Sequence, residues 1–410
     1  MYDFCSNPPA EPEAILASHY QVTAHRLAGH QVVLVAQDSS YVDYTHHPAT
    51  QGLGILHDDK HQVFLLHSSL AITPRRVPLG LLDQQAIYRD RAGYGKKHQR
   101  KQRPIEAKGS HKWLVSLRAT AAVQAAHPDT LLVNMGNREA DVHDVFQCAA
   151  TLQQAVLVRA AWNRAVEHDE KYLWDWIGTC PVAGPGVAQV PRQAGQPARQ
   201  ARLLLRHGQV SLKPPCHRKA EKLPAIPVYA VLGREGHPPA GQTALEWLLL
   251  TTVPVNGFTQ AVERLEWYAC RWVIEIYHKV LNSGCKIEER QFETAERLER
   301  YLAVDSIVAW RILGLTFQSR QTPEISCGAF LEPEEWQALF FCIHKTPAAP
   351  QHPPPHTLQQ AARWVAKPGG FLGRKGDGDP GVTVMWRGLQ QLCDIVILWR
   401  VFNPADGRGI

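Results

Sequence analysis

The segment Tyr268-Ala-Cys-Arg271-Trp-Val-Ile-Glu275-Ile-Tyr-His-Lys279 sets one carboxylate among several donors. On a helix, with about 100° per residue, Tyr268, Arg271, Glu275, Lys279 and Asn282 fall within an arc of roughly 80°. Val262, Leu265, Ala269, Trp272, Ile276 and Val280 form the adjoining apolar face. Such a row offers hydrogen-bond donors to an anion and one carboxylate to a cation. The same spacing creates the i,i+4 pairs Arg271/Glu275 and Glu275/Lys279, which weakly stabilise any exposed helix, so periodicity leaves both readings open.

Two further clusters put polar residues at strand ends. Gln31-Val-Val-Leu-Val-Ala-Gln has the continuous apolar run of a buried strand and stops at Asp38; Thr130-Leu-Leu-Val-Asn-Met135 stops at Gly136-Asn137-Arg138-Glu139. The run Lys96-Lys-His-Gln-Arg-Lys-Gln-Arg103 packs five fixed positive charges into eight residues, enough to attract a polyanion, although a solvated loop is the plainer account of the run by itself.

The elements that must carry these residues follow from the apolar pattern. A helix over Pro12 to Gly29 precedes the first strand, and a second strand, Val63 to Ile72, leads into a polar, basic loop. Lys112-Trp113-Leu114 opens a helix, and Ala155 to Arg159 continues the sheet. From about residue 166, short segments broken by Gly184-Pro-Gly186 and Pro214-Pro215 predict a small β-rich insertion. Trp247 to Thr252 reads as another buried strand and Phe258 to Ser283 as one long helix. Beyond about Gln321 the pattern is helical, with a Pro-rich break at Pro347 to Pro355 read as a linker or stiff loop. The last helix repeats Trp386, Leu389, Cys393, Val396 and Arg400, with Leu392 and Trp399 beside them, a stripe suited to packing or dimerisation.

A chain of 410 residues, 45% hydrophobic and 20% charged, can bury two or three cores, which excludes collagen, coiled coil and wholesale disorder. Apolar runs are strand-sized and the start lacks a signal-peptide pattern, so a cytoplasmic chain is expected. Nine scattered cysteines, never two apart, read as reduced thiols. Gly376-Asp-Gly-Asp-Pro380-Gly381 spells a dinucleotide fingerprint but follows no strand, and Gly373-Arg-Lys-Gly376 lacks the Lys-Ser/Thr pair of a phosphate loop. His46-His47 and His352/His356 have no partner at ligand spacing.

Taken together, the motifs resemble bacterial insertion-sequence transposases of the insertion-sequence-four type, which are DDE, RNase H-like recombinases. Tyr268, Arg271 and Glu275 match the family's Y-x2-R-x3-E signature. Gln31 to Thr45, with His47-Pro-Ala-Thr-Gln-Gly-Leu-Gly54, resembles the strand of the first Asp, and Gly136-Asn-Arg-Glu-Ala-Asp141 resembles the segment of the second. Gly369-Gly-Phe-Leu-Gly-Arg-Lys-Gly-Asp-Gly378 extends the similarity towards the C-terminus.

The resemblance implies an RNase H-like α/β core (1–165 and 244–320) with a β-rich insertion (166–243) and a helical C-terminal dimerisation region (321–410). It implies two Mg²⁺ or Mn²⁺ ions held at Asp38, position 137 and Glu275, with in-line attack on a phosphodiester of double-stranded DNA. Arg159, Tyr268, Arg271 and Lys279 would contact the DNA backbone, and Trp247 and Trp272 would serve around a flipped base. Asn137 departs from this pattern, because an amide brings one carbonyl ligand and no charge. Asn282 replaces the signature's last Lys, and the opening Met1-Tyr-Asp-Phe-Cys-Ser-Asn-Pro resembles a segment that follows an N-terminal DNA-recognition domain in the family. The expectation is therefore a nucleoid-associated cut-and-paste transposase impaired in this copy. The alternatives are an inactive chain that sequesters full-length transposase as a heterodimer, or a metal-independent DNA-binding protein.

Overall fold

The computed structural model describes residues 2–7, 10–55, 61–89, 103–190, 199–345 and 356–403. Lys96 to Gln102 of the basic run, and Pro347 to Pro355, lie outside the described residues. In chain order, helices α1 (Tyr2–Cys5) and α2 (Pro12–Arg26) precede strands β1 (Val32–Asp43), β2 (Gly54–Ile55), β3 (Gln62–Ile72) and β4 (Pro78–Ile87). Then come α3 (His111–Ala126), β5 (Leu131–Gly136), α4 (His143–Thr151), β6 (Ala155–Arg159), α5 (Leu173–Thr179), β7 (Val182–Val190), β8 (Arg199–Leu212), β9 (Ile226–Glu235) and β10 (Glu246–Thr251). The remainder is helical: α6 (Phe258–Cys270), α7 (Trp272–Lys279), α8 (Ala295–Gln321), α9 (Pro333–His344), α10 (Leu358–Ala366) and α11 (Val382–Phe402).

One mixed sheet runs in the order β2-β3-β1-β5-β6-β10-β9-β8-β7, with β4 paired to β3. Its centre is parallel, Val32 to Ala36 of β1 facing Leu131 to Met135 of β5, and Val133 to Gly136 facing Ala155 to Val158 of β6. Helix α3 provides the crossover that a parallel pair requires. Three antiparallel strands on one side of a parallel pair, with helices on the faces, agree with the expected RNase H-like α/β core and helical C-terminal region. All nine cysteines are free thiols. No helix among the described residues is long and apolar enough to cross a membrane.

Four local expectations change. The first strand does not stop at Asp38: the antiparallel ladder with β3 carries it on to Asp43, past the point where β5 ends. The stretch after Thr73 is not simply a loop, because Pro78–Ile87 pairs with β3 through two register shifts. The β-rich segment is present but continues the sheet, its β9 pairing antiparallel with β10. Finally, the helix from Phe258 tightens at Arg271, whose carbonyl accepts from Ile274 N, and widens over Val280–Gly284.

The apolar face of that helix is also turned from the expected one. Leu265, Ala269 and Val280 are buried as expected, but Val273, Ile274 and Tyr277 are buried where Trp272 and Ile276 are only half-buried. Helix α7 packs on β1 on one side and α8 on the other, so more than one stripe of it is core. In the C-terminal region Trp386, Leu389, Leu392 and Val396 pack inward, whereas Cys393 is exposed and Arg400 bonds Glu334. Helices α10 and α11 meet at glycine: a Cβ on Gly388 would lie 1.8 Å from the Val365 carbonyl oxygen, and one on Gly369 2.0 Å from that of Val384.

Candidate functional site

Asp38 and Asn137 become neighbours through strand register. Ala36 faces Met135 in the parallel pair, so two residues further on each strand brings position 38 beside position 137, where β5 has just ended. Asn137 then caps the short 3-10 turn Arg138–Ala140: its Oδ1 accepts from Glu139 N at 2.8 Å. With the carbonyl committed to the cap, the amide nitrogen faces Asp38 and donates to its Oδ1 at 3.0 Å. Ser39 N donates to the same oxygen at 2.9 Å.

The second Asp38 oxygen accepts from Arg271 Nη1 at 2.8 Å, and Arg271 Nη2 donates to Glu275 Oε1 at 2.5 Å. Asn137, Asp38, Arg271 and Glu275 therefore form one continuous chain of polar contacts, with the guanidinium between the two carboxylates. A planar fork with several donors suits that place better than a point charge. Arg271 is 10% exposed at its side chain and Asp38 14%, while Glu275 stays 33% exposed towards solvent. Burial raises the Glu275 pKa; Arg271 opposes the shift and the Asp38 charge adds to it. Burial alone would lower the Arg271 pKa, but Tyr268, Asp38 and Glu275 outweigh it and raise it.

The other expected residues sort by depth. Tyr268 is buried, its pKa raised by burial, with its ring edge-on to Trp247 at 5.4 Å and the Arg271 guanidinium 5.9 Å from its centre. Trp247 is only 5% exposed, so it backs Tyr268 as packing in this conformation. Arg159 donates to the Glu246 carbonyl oxygen at 3.0 Å; burial lowers its pKa, and the positive charges of Arg138 and Arg271 lower it further. Trp272 is half-buried, and Lys279 is exposed at the end of α7. Asn282 Nδ2 donates to Ser40 Oγ at 3.1 Å, two residues from Asp38 along β1. Arg271 and Asn282 thus meet β1 at Asp38 and Ser40, and Arg159 and Arg271 lie beside Tyr268.

Neither nearby carboxylate joins Asp38 and Glu275. Glu139 turns outward to Lys112 Nζ at 3.2 Å. Asp141 is buried and accepts from Ala161 N, Trp162 N and Arg164 Nε, which pins the loop after β6. Sequence reasoning missed the layer beneath. His278 Nε2 lies 3.2 Å from the hydroxyl of Ser68, the cross-strand neighbour of Asp38, and His67 Nδ1 lies 2.8 Å from Ser39 Oγ. Burial lowers the His278 pKa to about 4 and that of His67 well below its ordinary value, so both rings are neutral. Three consecutive polar residues, His67-Ser68-Ser69, inside an otherwise apolar strand were the available signal.

A pair of divalent ions does not fit this donor set. Hard cations take several anionic oxygens, and here two carboxylates share one guanidinium while the Asn137 amide oxygen is spent on a cap. Among the described residues, no group of three or more His, Cys, Asp and Glu side chains is arranged to hold a metal ion.

Residues 307–402 match the family described as the Transposase Tn5 dimerisation domain. The matched segment runs from within α8 to the last turn of α11. The match supports a transposase family for the chain and points to self-association.

Proposed function

We propose that this chain is a transposase-type protein that binds double-stranded DNA as a pair of copies, on nucleoid DNA in the cytoplasm, and that its Asp38/Asn137/Glu275 centre does not perform two-metal strand cleavage. Pairing is supported by the match over 307–402 and by the exposed apolar end of α11, where Ile397, Leu398, Val401 and Phe402 are all more than half exposed. DNA binding is supported by Arg159 beside Tyr268 and by Lys279, exposed at the end of α7, with Arg271 held by Asp38 and Glu275 behind them. These are donors of the kind that position a phosphate backbone.

The observation that carries the loss of cleavage is the direction of the Asn137 amide, whose hydrogen-bearing nitrogen faces Asp38. Such a protein influences transposition by occupying DNA or by pairing with an active relative. Duplex binding in EDTA with a steep salt dependence is expected, together with intact supercoiled plasmid after incubation in Mn²⁺ and fewer transposition events when the chain is co-expressed with an intact relative. The competing reading, a working transposase, is favoured by the convergence of Asp38 and Glu275 on one guanidinium. Mn²⁺-dependent nicking by the wild-type chain that Glu275→Gln abolishes would establish it instead.

A further inference from the structure

We propose that Asn137 and Arg271 stand in for bound cations: together they make a clasp of protein atoms that ties β1 to β5 and to α7, so that the folding of this centre is independent of divalent ions. Both Asp38 oxygens are already satisfied, Oδ1 by Asn137 Nδ2 at 3.0 Å and Ser39 N at 2.9 Å, and Oδ2 by Arg271 Nη1 at 2.8 Å. The cap bond from Glu139 N at 2.8 Å fixes which end of the Asn137 amide faces Asp38.

A carboxylate at position 137 would keep that cap bond. It would also set an anionic oxygen in place of the amide nitrogen, 3.0 Å from Asp38 Oδ1, and like charges that close need a shared proton or a cation between them. Arg271 cannot supply the missing charge, because its single positive charge is already shared by Asp38 and Glu275. Asn137 is thus the residue that lets the junction close without a metal. The clasp shares its centre with the proposed function, and the choice of divalent ion rests on that reading.

Thermal unfolding of the full chain in EDTA and in Mn²⁺, for the wild type, N137D and N137A, tests the clasp. The wild-type midpoint is expected to be the same in both buffers. N137D is expected to fall by about 3 °C in EDTA and to recover in Mn²⁺. N137A should melt below the wild type equally in both, which separates general ion effects from this site. A wild-type midpoint that Mn²⁺ raises as far as that of N137D, or an N137D midpoint indifferent to Mn²⁺, overturns the proposal. If N137D does not fold, calorimetric titration of Mn²⁺ into the wild type decides, with no saturable binding expected and binding at this centre fatal to the idea. Neither measurement uses DNA, so the clasp can fail while DNA binding and pairing succeed, and the reverse.

Discussion

Replacing Arg271 with Met should be the most damaging single change near the centre, because it keeps the aliphatic stem and removes the guanidinium that bridges two carboxylates. At about 4 Å and an effective dielectric near 20, each opposite-charge contact is worth about 4 kcal/mol before desolvation is subtracted. Breaking a buried pair by deleting one partner typically costs about 3–5 kcal/mol, since the remaining charge is stranded. Asp38 is 14% exposed and bears the full effect; Glu275, at 33%, regains some hydration, so the lower end of that range applies. A loss of about 3 kcal/mol in urea unfolding is therefore expected for R271M.

A double-mutant cycle separates this electrostatic account from lost packing. D38N removes the stranded charge, so D38N/R271M should be more stable than the sum of the single effects implies, with a coupling of about 2 kcal/mol. R271K should lie between, because one ammonium cannot span both carboxylates as the fork does. A cost for R271M below about 1 kcal/mol, or simple addition of the two substitutions, would mean that the guanidinium does not hold the two carboxylates together.

Three further outcomes follow from other parts of the molecule. The folded-state pKa of His278 is lowered from 6.5 to about 4, so the unfolded chain binds protons more readily and stability should fall as pH drops from about 6.5 towards 4. Asp305, raised to about 6, works the other way, so comparison of unfolding curves for H278Q and wild type isolates the histidine, and an unchanged acid limb in H278Q would contradict it. Gly388→Ala would set a methyl 1.8 Å from the Val365 carbonyl oxygen, and the resulting separation of α10 and α11 should cost about 3 kcal/mol or more, read as early proteolysis or unfolding of the C-terminal helices. Leu398→Asp with Phe402→Asp should leave the melting temperature nearly unchanged while shifting sedimentation towards a single copy, since both side chains are exposed, at 59% and 78%; undiminished self-association would place the pairing surface elsewhere.

β5 and β6 were legible because continuous apolar runs end abruptly, and both begin and end within a residue of where those runs do, whereas β1 outruns its apolar stretch by pairing with β3 as far as Asp43. What no run of letters carries is register: residues 38, 137 and 275 meet only because Ala36 lies opposite Met135 and because α7 crosses β1 at Asp38. β4 escaped notice because Gly80 and the Asp83-Gln84-Gln85 stretch interrupt its apolar pattern, and only the ladder to β3 makes it a strand. The helix face was misjudged because the ideal 100° step fails at Arg271, where the turn tightens, and because α7 is covered on two sides. Asn137 shows the deepest limit. Its identity brings no charge to the centre, whereas its consequence depends on the cap with Glu139 N, which turns the amide so that its nitrogen donates to Asp38. An amide in the reverse orientation would leave two oxygens facing each other. Which end of the amide meets Asp38, and with it whether this junction closes on protein atoms alone, turns on a single 2.8 Å hydrogen bond.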